Sequence, residues 1–126
     1  MPITRFPNGV GTDYDGVLQA QITDISTGAS HWTSALPFNV DIVSAYVTQE
    51  TAVTVADATI TFEIGGVAIT GLSVTVTAGG AAGDTSTATA TALNSLTAGT
   101  PIEVITDGGS TTASVGVVNI LYKRTA

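Results

Sequence analysis

The chain contains no cysteine, one histidine, one tryptophan and only three basic side chains among its 126 residues. Without cysteine there is no disulfide framework, no thiolate nucleophile and no zinc–thiolate cluster. The lone His31 excludes any site that needs two histidines from one chain. Arg5, Lys123 and Arg124 stand against ten carboxylates, for a net charge of −7. Neutralising phosphates takes clustered Lys or Arg, so neither nucleic acid nor an anionic membrane surface is an expected partner. Charge of either sign is scarce: 10% of residues carry one, where ordinary soluble domains have about 25%. The polar surface must then be mostly Thr and Ser, which suits a protein that sits against other protein. No apolar run approaches the roughly 20 residues of a membrane span. The opening "MPITRFPNGV" also lacks the apolar core of a secretion signal, so synthesis in the cytosol is expected.

What is present is period-two alternation. "ATITFEI" (58–64) places Ile60, Phe62 and Ile64 on one face and Thr59, Thr61 and Glu63 on the other, the mark of a strand with one wet face. Gly65-Gly66 then predicts a tight hairpin into "VAIT" (67–70). After Gly71, "LSVTVTA" reads as a further strand with Leu72, Val74 and Val76 inward. "NVDIVSAYVT" (39–48) is also a strand, with Ile42 and Tyr46 expected on one face and Val43, Ala45 and Val47 on the other. "TSTATATAL" (85–93) has an alanine face that buries little area, so it is expected at an edge or against a neighbouring subunit. "NSLTAG" (94–99) reads as a turn, "PIEVITD" (101–107) and "ASVGVVNILYK" (113–123) as the last strands. "VLQAQIT" (17–23) reads as a strand near the start, and 17–38 as a whole reads as part of the sandwich or a connecting flap. Turn signals every 8–12 residues without a competing amphipathic helix predict an all-β, antiparallel β-sandwich of jelly-roll-like type over residues 17–126.

Catalytic chemistry is hard to find. His31 would need an orienting partner to act as a base, and the sequence singles none out. "DYDG" (13–16) opens like a calcium loop, but "VLQAQI" supplies no distal glutamate; Asp13 and Asp15 read as turn carboxylates. Asp84 and Asp107 sit in Gly-rich loops and read the same way. No Ser occupies a nucleophile elbow, and "GGAAGD" lacks the Lys and helix of a phosphate cradle. Lys123 and Arg124 read as the solvated end of the last strand. The expectation is a protein without enzymatic activity, metal or cofactor.

From Asp41 to Arg124 the chain resembles the small head decoration, or cement, proteins of tailed bacteriophages. The likeness rests on "DIVSAYVTQETAVTVADATITFEIGGVAIT", "AAGD", "LNSLTAGTPIEVITDGGST" and the closing "LYKR", and "TRFPNGV" is similar to openings among phage structural proteins. Such proteins commonly carry "GD" before the penultimate strand where this chain has Gly99-Thr100, so no acidic role carries over there. The resemblance implies a protein of the virion, made in the host cytoplasm and bound outside the capsid. There it would stabilise joints between major capsid protein subunits, often as a homotrimer. Two alternatives stand beside it. One is another virion sandwich from tail, fibre or baseplate; the other is a carbohydrate-binding or adhesive module, for which Trp32 is the one strong aromatic candidate.

Residues 1–16 fit no strand. Pro2 and Pro7 hold the backbone extended and remove amide donors, while Gly9, Gly11 and Gly16 let it bend. The expectation is an N-terminal arm that orders on the capsid, with Ile3, Phe6 and Val10 as apolar contacts and Arg5 reaching a carboxylate.

Overall fold

Period-two segments form strands wherever one face can be buried, and the computed structural model, which describes residues 14–125, has nine of them. They are β1 (Gly16–Ile22), β2 (Ala29–Trp32), β3 (Val40–Gln49), β4 (Ala58–Ile64), β5 (Val67–Val76), β6 (Thr85–Thr89), β7 (Ser95–Leu96), β8 (Glu103–Thr106) and β9 (Gly116–Arg124). Sheet A has the order β1-β9-β3-β6, with the short β7 also paired to β3; sheet B has the order β2-β8-β4-β5. Every pairing is antiparallel, and the chain crosses repeatedly from one sheet to the other. The expected antiparallel sandwich is therefore the fold. Residues 1–13, and with them Ile3, Arg5, Phe6 and Val10 of the expected arm, lie outside the described residues. Gly16 already belongs to β1.

The two inner faces enclose Leu18 and Ile22 of β1, Ile42, Ala45 and Val47 of β3, Ile60 and Phe62 of β4, Leu72 and Val74 of β5, and Val118 and Ile120 of β9. Phe62 is the largest fully buried side chain and sits at the centre of sheet B. Burial of such a side chain contributes about 1.5–3 kcal/mol. At Gly65 and Gly66, φ values of 59° and 84° give the expected hairpin its twist. β6 is an edge strand of sheet A, its half-buried Ala88 packed on the core together with Ala90 just beyond it.

Three expectations need correction. Ile42 and Tyr46 do not share a face. The β3–β9 register shifts between Ile42 and Ser44, so Val43 is an extra residue and parity reverses across it. Ile42, Ala45 and Val47 all point inward, and Tyr46 is exposed. Gly71 does not separate two strands: at φ 84° it is absorbed within the ten-residue β5. Its neighbour Thr70 bridges to Ala92 and so ties the edge of sheet B to the chain leaving β6. Finally, "NSLTAG" holds a two-residue strand, β7, that pairs Val40 with Leu96 and Asp41 with Ser95.

Strand direction sorts the connections to two ends. Segments 33–39, 65–66 and 97–102 lie at the end where Asp15 leads back toward residue 1, here the root end, and 90–94 joins β6 to β7 alongside Ile42 and Val43 on the way to it. Segments 23–28, 50–57, 77–84 and 107–115 lie at the far end.

Candidate functional site

The two ends differ in chemistry. Asp24, Glu50, Asp57, Asp84 and Asp107 are all in far-end connections, and among the described residues no Lys or Arg is there. Most of these carboxylates hold their own loops. Asp24 accepts hydrogen bonds from the Ser26 hydroxyl and amide at 2.6 and 2.9 Å, Asp57 from the Ala78 amide at 2.9 Å, and Asp84 from the Ala81 amide at 2.8 Å. Asp107 accepts from the amides of Thr59 and Gly109 at 3.0 and 2.9 Å. The Ser26 hydroxyl and amide hold the Asp24 carboxyl below its ordinary range. For Asp107, burial pushes the carboxyl up, but the bonds from Thr59 and Gly109 together outweigh it and hold it low. Asp84 and Asp107 are turn carboxylates as the sequence suggests, Asp24 and Asp57 play the same part although the sequence does not single them out, and no cluster of three potential metal ligands occurs among the described residues.

The root end mixes exposed apolar groups with charge. Of the seven exposed large hydrophobics among the described residues, five lie toward it: Tyr14, Val17, Trp32, Val67 and Leu93; Asp15, Asp41, Glu63 and Glu103 lie toward it as well. Trp32 is 61% exposed at the end of β2, Val67 53% exposed after the hairpin, and Leu93 62% exposed. Leu93 also has a φ of 57°, the left-handed region that a leucine adopts only at a cost. With Ile64 and Val67 it lines a shallow depression of about 410 Å³. An unfavourable backbone thus presents an apolar side chain to solvent. The described cations are here too. The Arg124 guanidinium lies 4.0 Å over the Phe38 ring, and its amide donates to the Asp15 carboxylate at 2.8 Å; Lys123 lies opposite Asp41 in the β3–β9 register.

A cross-strand row on the outer face of sheet B also reaches this end. Trp32 is the partner of Glu103, and Glu103 of Glu63. His31, by contrast, turns inward beside Val104, its Nε2 buried without a hydrogen-bond partner. No group orients it as a base needs.

The outer face of sheet A is different again. Three rows cross it: Val17–Leu121–Ser44–Thr89, Gln19–Asn119–Tyr46–Thr87 and Gln21–Val117–Thr48–Thr85. None of these twelve side chains is charged. Gln19 donates to Asn119 at 2.8 Å, and the Thr48 and Thr85 hydroxyls bond at 2.9 Å. Neither this face nor the row at Trp32 can be found from the sequence without the register, which depends on the bulge at Val43 and on pairings distant along the chain.

No family model and no curated protein matches the chain. Among solved structures it is similar to CsCBM6-3 from Clostridium stercorarium, determined in complex with cellobiose, at 18% identity over 91% of each chain with a TM-score of 0.54. It is also similar to a chain of the cyanophage Pam1 capsid asymmetric unit, at 19% identity over 98% of this chain and 99% of that one, with a TM-score of 0.48. The likeness to the clostridial module shows a shared β-sandwich fold and nothing of its ligand.

Proposed function

We propose that the protein is a non-enzymatic structural component of a phage virion, a decoration protein that docks on the outer capsid through its root end. The observation that carries this reading is the gathering of Tyr14, Val17, Trp32, Val67 and Leu93 where the N-terminal segment leaves the sandwich. Exposed apolar groups toward one end mark an interaction surface that wraps the sandwich, with Val67 and Leu93 together at its edge and Val17 and Trp32 on opposite outer faces. The far end, with carboxylates alone, is suited to face solvent and to keep neighbouring copies from sticking. The arm, with Ile3, Phe6, Val10 and Arg5, leaves from the docking end and extends the same contact. The three uncharged rows on the outer face of sheet A support side-by-side packing of copies as a homotrimer. The work is mechanical: bridging joints between major capsid protein subunits, with many copies making a modest contact effective.

Deletion of residues 1–12 and the substitution Val67→Asp test this by co-sedimentation with expanded heads that lack the protein. Both variants should keep the strand-rich circular dichroism of the parent and bind heads at least tenfold more weakly. Undiminished binding by both, or purified tails carrying the protein while heads lack it, would overturn the reading.

A further inference from the structure

The row Trp32–Glu103–Glu63 raises a question that the apolar patch does not. Directly opposite residues of antiparallel strands hold their Cβ atoms about 4.5–5.5 Å apart, and like charges so placed destabilise a sheet. Glu103 and Glu63 are such a pair, both half-buried, on the central strands of sheet B. The described cations do not relieve them: Lys123 and Arg124 end β9 in the other sheet, beside Asp41 and Phe38. The next row inward, Ser30–Ile105–Thr61–Ser73, is uncharged, and Ala68 follows Glu63 on β5. A fold that places two carboxylates side by side and sets an exposed indole next to them is complementary to a cation with a flat apolar face.

We propose that the outer face of sheet B at the root end is a docking surface for an arginine presented by a partner protein. Its guanidinium stacks on Trp32 and hydrogen-bonds to Glu103 and Glu63. A guanidinium is planar, always charged and weakly hydrated, so it can lie on an indole and present its edge to carboxylates together. Other ligands satisfy only half of the row. A neutral saccharide stacks on Trp32 but leaves the like-charge pair unrelieved. An ammonium neutralises the pair but has no flat face for the indole. Charge complementarity therefore selects arginine, whichever protein supplies it, and the inference stands apart from the capsid reading.

Trp32 is the only tryptophan, so its emission reports on this row alone. The full chain is titrated with N-acetyl-Gly-Arg-Gly-amide and with the same peptide carrying citrulline, which keeps the planar shape without the charge, or lysine. The arginine peptide should give a saturable change, with citrulline about tenfold weaker and lysine in between, as expected when charge and stacking both contribute. Glu103→Gln and Glu63→Gln should each weaken the arginine peptide about fivefold and so cut its preference over citrulline to about twofold. Both variants remove a repulsion, so folding is not at risk. Equal response to citrulline and arginine, unchanged affinity in the glutamine variants, or no saturation by about 50 mM peptide would overturn the proposal. So would saturation by a β-glucan oligosaccharide in place of the peptide, which would make the row a saccharide site. Arg5→Gln separates the chain's own arm from a partner. If that change alone shifts Trp32 emission and tightens peptide binding, the arm fills the row and the partner assignment fails.

Discussion

Leu93→Asn sets stability and docking in opposite directions. Leu93 has a φ of 57° and is 62% exposed. A non-glycine residue in left-handed backbone costs about 1–2 kcal/mol, and asparagine is among the few that visit it readily. Relief of half to all of that strain is therefore worth about 1 kcal/mol. Against it stands the little burial Leu93 has. Full burial of a leucine contributes about 1.5–3 kcal/mol, so the third or so that is covered contributes about 0.5–1 kcal/mol. The net lies between about zero and 0.5 kcal/mol in favour of the variant, a melting temperature unchanged or raised by up to about 2 °C. Docking should respond the other way. If the exposed two-thirds of the side chain is buried on a partner, its loss costs about 1–2 kcal/mol, or roughly fivefold to thirtyfold in affinity for heads. Calorimetry and head co-sedimentation on the same preparation read both. A variant at least as stable as the parent that binds heads equally well would refute the root end as the docking surface. A melting temperature lowered by more than about 4 °C would refute the view that the leucine is held there against its own backbone preference.

Gly71→Ala should destabilise sharply: at φ 84° the new Cβ would lie 2.7 Å from the Thr89 carbonyl oxygen and 2.9 Å from the Thr91 hydroxyl. Strain and clash together cost about 2–4 kcal/mol, and hydrogen exchange should show lost protection in β6 and at the Thr70–Ala92 bridge; an unchanged melt would show that this edge yields freely. Phe62→Ala removes the largest buried side chain and should cost about 3–5 kcal/mol in denaturant unfolding; a loss below about 1 kcal/mol would mean that the core collapses around the gap. Asp24 and Asp107 both have carboxyls held below the ordinary aspartate value of 3.8. A depressed folded-state value stabilises above the unfolded one, so their contribution is complete near neutral pH, falls as pH drops through 3.8 and is gone below the folded-state values. Asp24→Asn with Asp107→Asn should therefore flatten the acid limb of the stability curve; a limb of unchanged steepness would assign acid loss to other carboxylates.

Much of the fold was legible because burial imposes period two. The segments at 17–23, 58–64 and 101–107 overlap β1, β4 and β8, and the paired glycines at 65 and 66 turn where their freedom at positive φ is needed. Where the pattern misled, the cause was local. "NVDIVSAYVT" is apolar on both parities, so nothing in it announces that Val43 is extra; only the partner strand β9 forces the bulge, by offering Tyr122 and Leu121 to Ile42 and Ser44. Leu93 hides for a similar reason, since no glycine or asparagine occupies its position to advertise left-handed backbone. The like-charge row is beyond any local pattern, because Trp32, Glu63 and Glu103 meet only through two separate registers.

The polarity of the molecule was nevertheless within reach of the sequence. In an antiparallel sandwich each reversing connection changes ends, and β6 and β7 both run antiparallel to β3, so together they count as one interrupted strand. Numbering the turns from residue 16 then assigns the connections holding Asp24, Glu50 with Asp57, Asp84 and Asp107 to one end, and the connection after Trp32 and the Gly65-Gly66 hairpin to the other. Acidic residues fall in alternate connections because short carboxylates cap glycine-rich turns through their amides, as Asp84 and Asp107 do. The root-end turns are capped too, by Asn39 on the Ala98 amide and Asp15 on the Arg124 amide, but apolar side chains stand beside these caps. Leucine, valine and tryptophan left exposed next to capped turns are side chains whose burial is still available to whatever covers them.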